Sequence, residues 1–183
     1  MPWGKTHLFF GDERNVEPDS PESNYQMVRK AMLNKVSLDP MHVHRIHGEL
    51  SAQEAAQGYD LILGSLLPKT ADGQVEFDLV LLGLGPDGHV ASLFPGTDIL
   101  DENEKRAAAV WVPEKHTWRI SITIPVINNA RNVWVFVTGA SKQDIVDRVL
   151  NYPSVTARLP IEAIAPKNGL YWYMDDNAAA LLK

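Results

Sequence analysis

Two rhythms of apolar residues divide this chain. Residues 77–83 and Val133–Val137 run apolar with little polar alternation, which predicts strands buried on both faces of a parallel sheet. Shorter strands are predicted at 6–11, 43–46 and Leu170–Met174. Residues 119–126 alternate instead, with Ile120, Ile122 and Ile124 on one face of a further strand. Between these runs the period lengthens to that of a helix. Met27, Ala31, Leu33 and Val36 give an apolar face to residues 24–36. Ser51-x-x-Glu54 is a capping box that opens a helix carrying Ala52, Ala55, Ala56, Tyr59, Leu63 and Leu66. Ser141-x-x-Asp144 opens another, with Ile145, Val146, Val149 and Leu150, and 178–182 reads as a short terminal helix. The polar stretch 12–22 predicts a loop and Thr70-Ala-Asp-Gly73 a turn. Strands that alternate with helices mean an α/β fold on a mainly parallel sheet. No repeat, low-complexity tract or linker interrupts the pattern, so residues 1–183 are expected to form a single domain.

The strand at 77–83 leads directly into Gly83-Leu-Gly-Pro-Asp-Gly-His-Val-Ala-Ser-Leu-Phe-Pro-Gly96. Gly83, Gly85 and Gly88 let the backbone turn sharply and lie close to a ligand. Asp87 and His89 then fall at the carboxyl end of the strand, where open α/β sheets bind ligands. Imidazole is the side chain best suited to proton transfer near neutral pH. Backbone N–H groups over 83–88 are candidate donors to an oxyanion.

These residues resemble the 6-phosphogluconolactonase family, relatives of the glucosamine-6-phosphate deaminase/isomerases. Three further segments carry the resemblance: His7-Leu-Phe-Phe-Gly-Asp-Glu-Arg14 with Pro18, Ser23 and Asn24; Arg119-Ile-Ser-Ile-Thr-Ile-Pro-Val-Ile-Asn128 running into Val133-Trp-Val-Phe-Val-Thr-Gly-Ala-Ser-Lys142; and Leu159-Pro160, Asn168-Gly169, Trp172, Asp175 and Ala178-Ala179 near the end. The resemblance implies a Rossmann-like, three-layer sheet flanked by helices. It implies a cofactor-free hydrolase of 6-phospho-D-glucono-1,5-lactone in the oxidative pentose phosphate pathway. His89 is then the catalytic histidine and general base, and Asp87 orients the imidazole or contacts sugar hydroxyls. Arg14 and Lys142 become ligands of the substrate phosphate. Members of the family begin with a strand, a Ser-Gly-Gly-type loop and a helix that this chain lacks, so it is expected to be truncated at its N-terminus relative to them.

Alternatives accompany each residue. Arg14 could instead pair with Asp12 or Glu13, which more readily organise the loop than perform catalysis. Lys142 could be a solvated lysine, although the first turn of a helix favours anions. Arg119, preceding the alternating strand, could join the phosphate site or serve as a strand-end charge. His42, His44 and His47 invite a metal reading against that of a solvated strand end; the family suggests no metal there. Trp111, Trp118, Trp134 and Trp172 fit core or interface positions. A deaminase or isomerase on the same fold is the rival enzyme, but deaminases carry an acidic residue shortly after the histidine and none occurs from Val90 to Thr97. A non-catalytic sugar-phosphate-binding module or inactive remnant is the rival of another class.

Composition narrows the partners. Net charge is -6, which argues against nucleic acid as a partner while leaving room for a local cationic pocket. There is no cysteine, hence no disulfide, thiol nucleophile or cysteine-bound zinc, and the chain fits the cytoplasm. No apolar run approaches membrane-spanning length. The residues carry no reading of oligomeric state.

Overall fold

In the computed structural model, which describes residues 2–153 and 159–182, the chain runs β1 (Leu8–Phe9), β2 (Asp12–Arg14), α1 (Asn24–Ala31), β3 (Val43–His44), α2 (Ala52–Leu66) and β4 (Val80–Gly83). It continues through β5 (Ala107–Val112), β6 (Thr117–Ile122), α3 (Ile124–Asn128), β7 (Val133–Val137), α4 (Gln143–Asn151) and β8 (Leu170–Met174). Pairing is parallel in β1–β3 and in the order β4-β7-β8, and antiparallel in β2-β6-β5. The α/β class with parallel sheets and flanking helices therefore stands, and an antiparallel unit is added beside them.

The parallel sheet is built from aliphatic and aromatic residues. Val80 and Leu82 of β4 and Val133, Val135 and Val137 of β7 bury one face. The opposite face is not buried. Leu81 is 60% exposed, and Trp134, Phe136, Tyr171 and Tyr173 lie beside it in register. Phe136 stacks on Tyr173 with ring centroids 5.1 Å apart, and Trp134 lies 5.2 Å from Tyr173. Burial of β4 and β7 on both faces, expected from their continuous apolar runs, is thus corrected to burial on one face. A run of apolar residues reads the same whether or not a further layer covers it. No other element of the described residues does so here.

Helix α2 follows its capping box, with Ser51 Oγ accepting from the Glu54 N–H. Ala52, Ala55, Ala56, Tyr59 and Leu63 are buried as the spacing requires, whereas Leu66 is half exposed at the helix end. Tyr59 ties the helix to the end of β1: its hydroxyl donates to the Phe10 carbonyl and accepts the Phe10 N–H, both at 2.8 Å.

Other elements differ from expectation for local reasons. The helix expected over 24–36 ends at Ala31, and Leu33–Lys35 form a 3₁₀ turn. Met27 is 58% exposed; Tyr25 and Val28 turn to the core instead. What fixes α1 is its N-terminus, where the Glu13 carboxylate accepts the N–H groups of Asn24 and Tyr25 at 2.7 and 2.8 Å. The strand expected over 119–126 stops at Ile122, because Pro125 at the start of α3 lacks the N–H a ladder needs and presets helical φ. Ser141 caps nothing: Lys142 holds the N-cap position of α4. Residues 178–182 form hydrogen-bonded turns, their start pinned by Asp175 Oδ1 accepting the Ala178 N–H at 2.8 Å.

Candidate active site

β4 delivers the glycine loop, and the loop's own hydrogen bonds shape it. The Gly85 N–H donates to the His89 carbonyl at 2.8 Å, and the Gly88 N–H donates to the Gly85 carbonyl at 3.0 Å. Gly88 has φ +83°, a conformation side chains resist, and a Cβ there would lie 2.9 Å from Leu159 Cβ. A Cβ on Gly85 would overlap the imidazole of His89 and lie 2.7 Å from Asp87 Oδ1. Gly83, at the end of β4, faces open space. Two glycines are thus required by geometry: Gly88 for the turn, Gly85 for the close approach of the imidazole.

The imidazole is held on two sides. Its ring stacks on Phe94 with centroids 4.2 Å apart, and Nδ1 lies 2.5 Å from Asp87 Oδ1. Burial pushes the Asp87 carboxyl up, but the hydrogen bond and charge of His89 outweigh it and hold the group below its ordinary value. An ionised carboxylate only accepts, so Nδ1 carries the proton it shares, and in the neutral ring the free lone pair is on Nε2.

His89 lines an open pocket of about 400 Å³. Arg14, Arg119, Lys142, Gly83 and Gly85 line the same pocket, whereas Asp87 and Gly88 do not. Five of the predicted site residues thus share one cavity with the histidine. Arg14 comes from β2, not from the loop expected over 12–22, and sits directly opposite Arg119 in the β2–β6 register. Arg14 makes no ion pair to Asp12 or Glu13; Nη1 donates to the Glu22 carbonyl at 2.5 Å. Nε of both arginines is buried without a hydrogen-bond partner. Burial first, and then the facing charge of Arg14, weaken the hold of Arg119 on its proton. Neither guanidinium forms an ion pair among the described residues, and Asp12, Glu13 and Glu22 offset their charge only at longer range. Lys142 Nζ donates to the Leu84 carbonyl at 2.7 Å, which ties it to the strand end and excludes the reading of a freely solvated lysine.

Two pocket residues, Asp12 and Lys115, were not among the predicted site residues. Asp12 accepts from Ser92 Oγ at 2.7 Å and from Asn24 Nδ2 at 3.1 Å. Its burial raises the carboxyl above its ordinary value despite the Ser92 hydrogen bond and the two nearby arginines. Lys115 lies on the turn between β5 and β6 and also reaches the pocket. Nothing in the pattern marked Asp12 as half-buried. Lys115 would have been found only by recognising the β5–β6 hairpin.

The histidine cluster resolves differently from expectation. His42 lies in a 3₁₀ turn, not on a strand face with His44, and His47 turns away to Glu49. The third member is His7, whose Nδ1 lies 2.9 Å from His44 Nε2 and whose ring stacks on that of His42 at 4.0 Å. Among the described residues no group of three His, Asp or Glu side chains could hold a metal ion. No described helix is long and apolar enough to cross a membrane.

Comparison with known proteins places this geometry. Residues 1–172 match the family described as glucosamine-6-phosphate isomerases/6-phosphogluconolactonase. The chain belongs to that family. It is 37% identical to a 6-phosphogluconolactonase of Synechocystis over all of its own length and 76% of that protein. It is 36% identical to probable 6-phosphogluconolactonase 4, chloroplastic, of Oryza sativa subsp. indica over 99% of its own length, and spans 59% of that protein. Among solved structures, the 6-phosphogluconolactonase of Trypanosoma brucei superposes with a TM-score of 0.83 at 31% identity, covering 96% of this chain and 73% of that one.

Proposed function

We propose that the chain hydrolyses 6-phospho-D-glucono-1,5-lactone, a step of the oxidative pentose phosphate pathway, with His89 as general base. The observation that carries the reading is the pairing of Asp87 with His89 Nδ1, which leaves Nε2 as the proton acceptor in a pocket lined also by two arginines whose buried Nε groups have no hydrogen-bond partner. The relatives that bear the lactonase name support it. So does the absence of an acidic residue from Val90 to Thr97, where the rival deaminases carry one.

In this mechanism the phosphate is anchored by Arg14 and Arg119, with Lys142 at its flank. Guanidinium forks suit phosphate oxygens, and a fixed phosphate positions the distant carbonyl for attack. Nε2 of His89 takes a proton from water as the water oxygen bonds to C1. The C1 carbonyl pair moves onto oxygen; the Gly85 and Gly88 N–H groups, expected as donors to that charge, are instead spent on the His89 and Gly85 carbonyls. Collapse of the tetrahedral intermediate breaks the bond between C1 and the ring oxygen. The imidazolium returns its proton to that oxygen, and the new carboxylic acid ionises to solvent. Asp87 keeps the imidazole oriented and stabilises its charged form.

The test is lactone hydrolysis measured with the spontaneous rate subtracted. His89→Ala should lower turnover by about 10²–10⁴-fold, the usual contribution of general acid–base catalysis. A folded His89→Ala protein with near wild-type turnover would refute the assignment.

A further inference from the structure

We propose that Lys115 binds the carboxyl end of the reacting sugar, meeting the oxyanion at C1 during attack and the carboxylate of the product. The assignment rests on the proposed lactone hydrolysis and extends it to a residue that the loop motifs do not contain.

Lys115 ends the 3₁₀ turn Pro113–Lys115, and His116, in the left-handed conformation at φ +47°, redirects the chain into β6. This hairpin carries the lysine to the pocket. Its Nζ stands 5.8 Å from the centroid of the Phe94 ring, within cation–π range. Phe94 is itself buried and is the ring on which His89 stacks at 4.2 Å. One aromatic side chain therefore sets both the imidazole and the ammonium. Lys115 forms no ion pair in the described structure, so its charge is free for a ligand.

The other pocket cations are committed elsewhere. Arg14 and Arg119 face each other across β2 and β6, and Lys142 is tethered to the Leu84 carbonyl. Lys115 is the cation that shares a contact with the catalytic imidazole, and C1 must lie against that imidazole for water to attack it. Negative charge appears at C1 twice: on the carbonyl oxygen in the intermediate and on the carboxylate after ring opening. An ammonium there strengthens as the charge develops, so its interaction favours the transition state over the neutral lactone.

Two ligands separate this role from phosphate binding. 6-Phosphogluconate carries the phosphate and the carboxylate; glucitol 6-phosphate carries the phosphate and a hydroxymethyl in place of the carboxylate. Calorimetric titration of wild type, Lys115→Met and Lys115→Arg with each ligand gives the comparison. Lys115→Met should weaken 6-phosphogluconate about tenfold, as expected for a lost charge-assisted hydrogen bond, and leave glucitol 6-phosphate unchanged. Lys115→Arg should restore most of the difference. Equal weakening of both ligands would move Lys115 to the phosphate, and no weakening of either would remove it from the site; each result overturns the proposal. A wild-type chain that shows the Lys115-dependent preference yet hydrolyses no lactone would instead overturn the proposed reaction and leave the carboxylate site standing.

Discussion

Arg14 and Arg119 stand opposite each other, residue for residue, across the β2–β6 pair. Like charges in that relation destabilise a sheet unless an anion lies between them. Arg119→Gln should therefore leave the ligand-free protein as stable as wild type or more so, while weakening binding of 6-phosphogluconate roughly tenfold to a hundredfold, the worth of a hydrogen bond to a charged group. Thermal unfolding with and without ligand reads both quantities in one experiment. A variant that loses stability but binds normally would show the pair to be structural.

Gly85 and Gly88 should fail differently when replaced by alanine. Gly85→Ala puts a methyl group into the His89 ring without forcing a positive φ, so the imidazole must move. Misplacement by about 1 Å costs on the order of 10²-fold in rate, with the unfolding midpoint nearly unchanged. Gly88→Ala meets a φ of +83° and the Leu159 side chain, and should destabilise the fold by about 1–3 kcal/mol. Parallel activity and melting curves distinguish the two.

Tyr59→Phe removes the group that satisfies both the N–H and the carbonyl of Phe10 in the core. Each buried group left unpaired costs about 1–3 kcal/mol. The expected result is a drop of several degrees in melting temperature, with ligand binding by the remaining folded protein unchanged.

Glu49 makes stability depend on acid. The bidentate bond from Arg45, at 2.7 and 2.8 Å, outweighs desolvation and holds the carboxyl down from 4.5 to about 2. A depressed carboxyl stabilises the fold fully above its unfolded value, and the contribution is lost as pH falls from there through the folded value. Glu49→Gln should flatten this part of the profile. Urea midpoints taken at about pH 6 and about pH 3 should differ less in the variant than in wild type.

The sequence was legible where one local cause decides the structure. β7 and β8 occupy the predicted ranges because their composition suits strands and nothing competes. The start of α2 follows its capping box. Asp87 and His89 fall just past the end of β4, where a glycine loop following an apolar strand put them. β5 escaped because Ala107, Ala108 and Ala109 are poor strand formers, and pairing with β6 overrides that preference. Losing β5 hid the hairpin, and with it Lys115. Asp12 was read as a loop residue because a carboxylate usually seeks water; its burial depends on Ser92, eighty residues away. Lone propensity carries no trace of such distant partners.

Leu81 and Gly83 belong to two surfaces at once. Both line the pocket, and both sit on the uncovered aromatic face beside Trp134 and Phe136. Any polypeptide layer laid on that face would thus share a wall with a bound ligand. Linkage then works in both directions: the factor by which such a layer tightened the ligand would equal the factor by which the ligand tightened the layer. Occupancy of the pocket and attachment to the sheet would be two readings of one equilibrium, and the ligand would act as a fastener as well as a substrate.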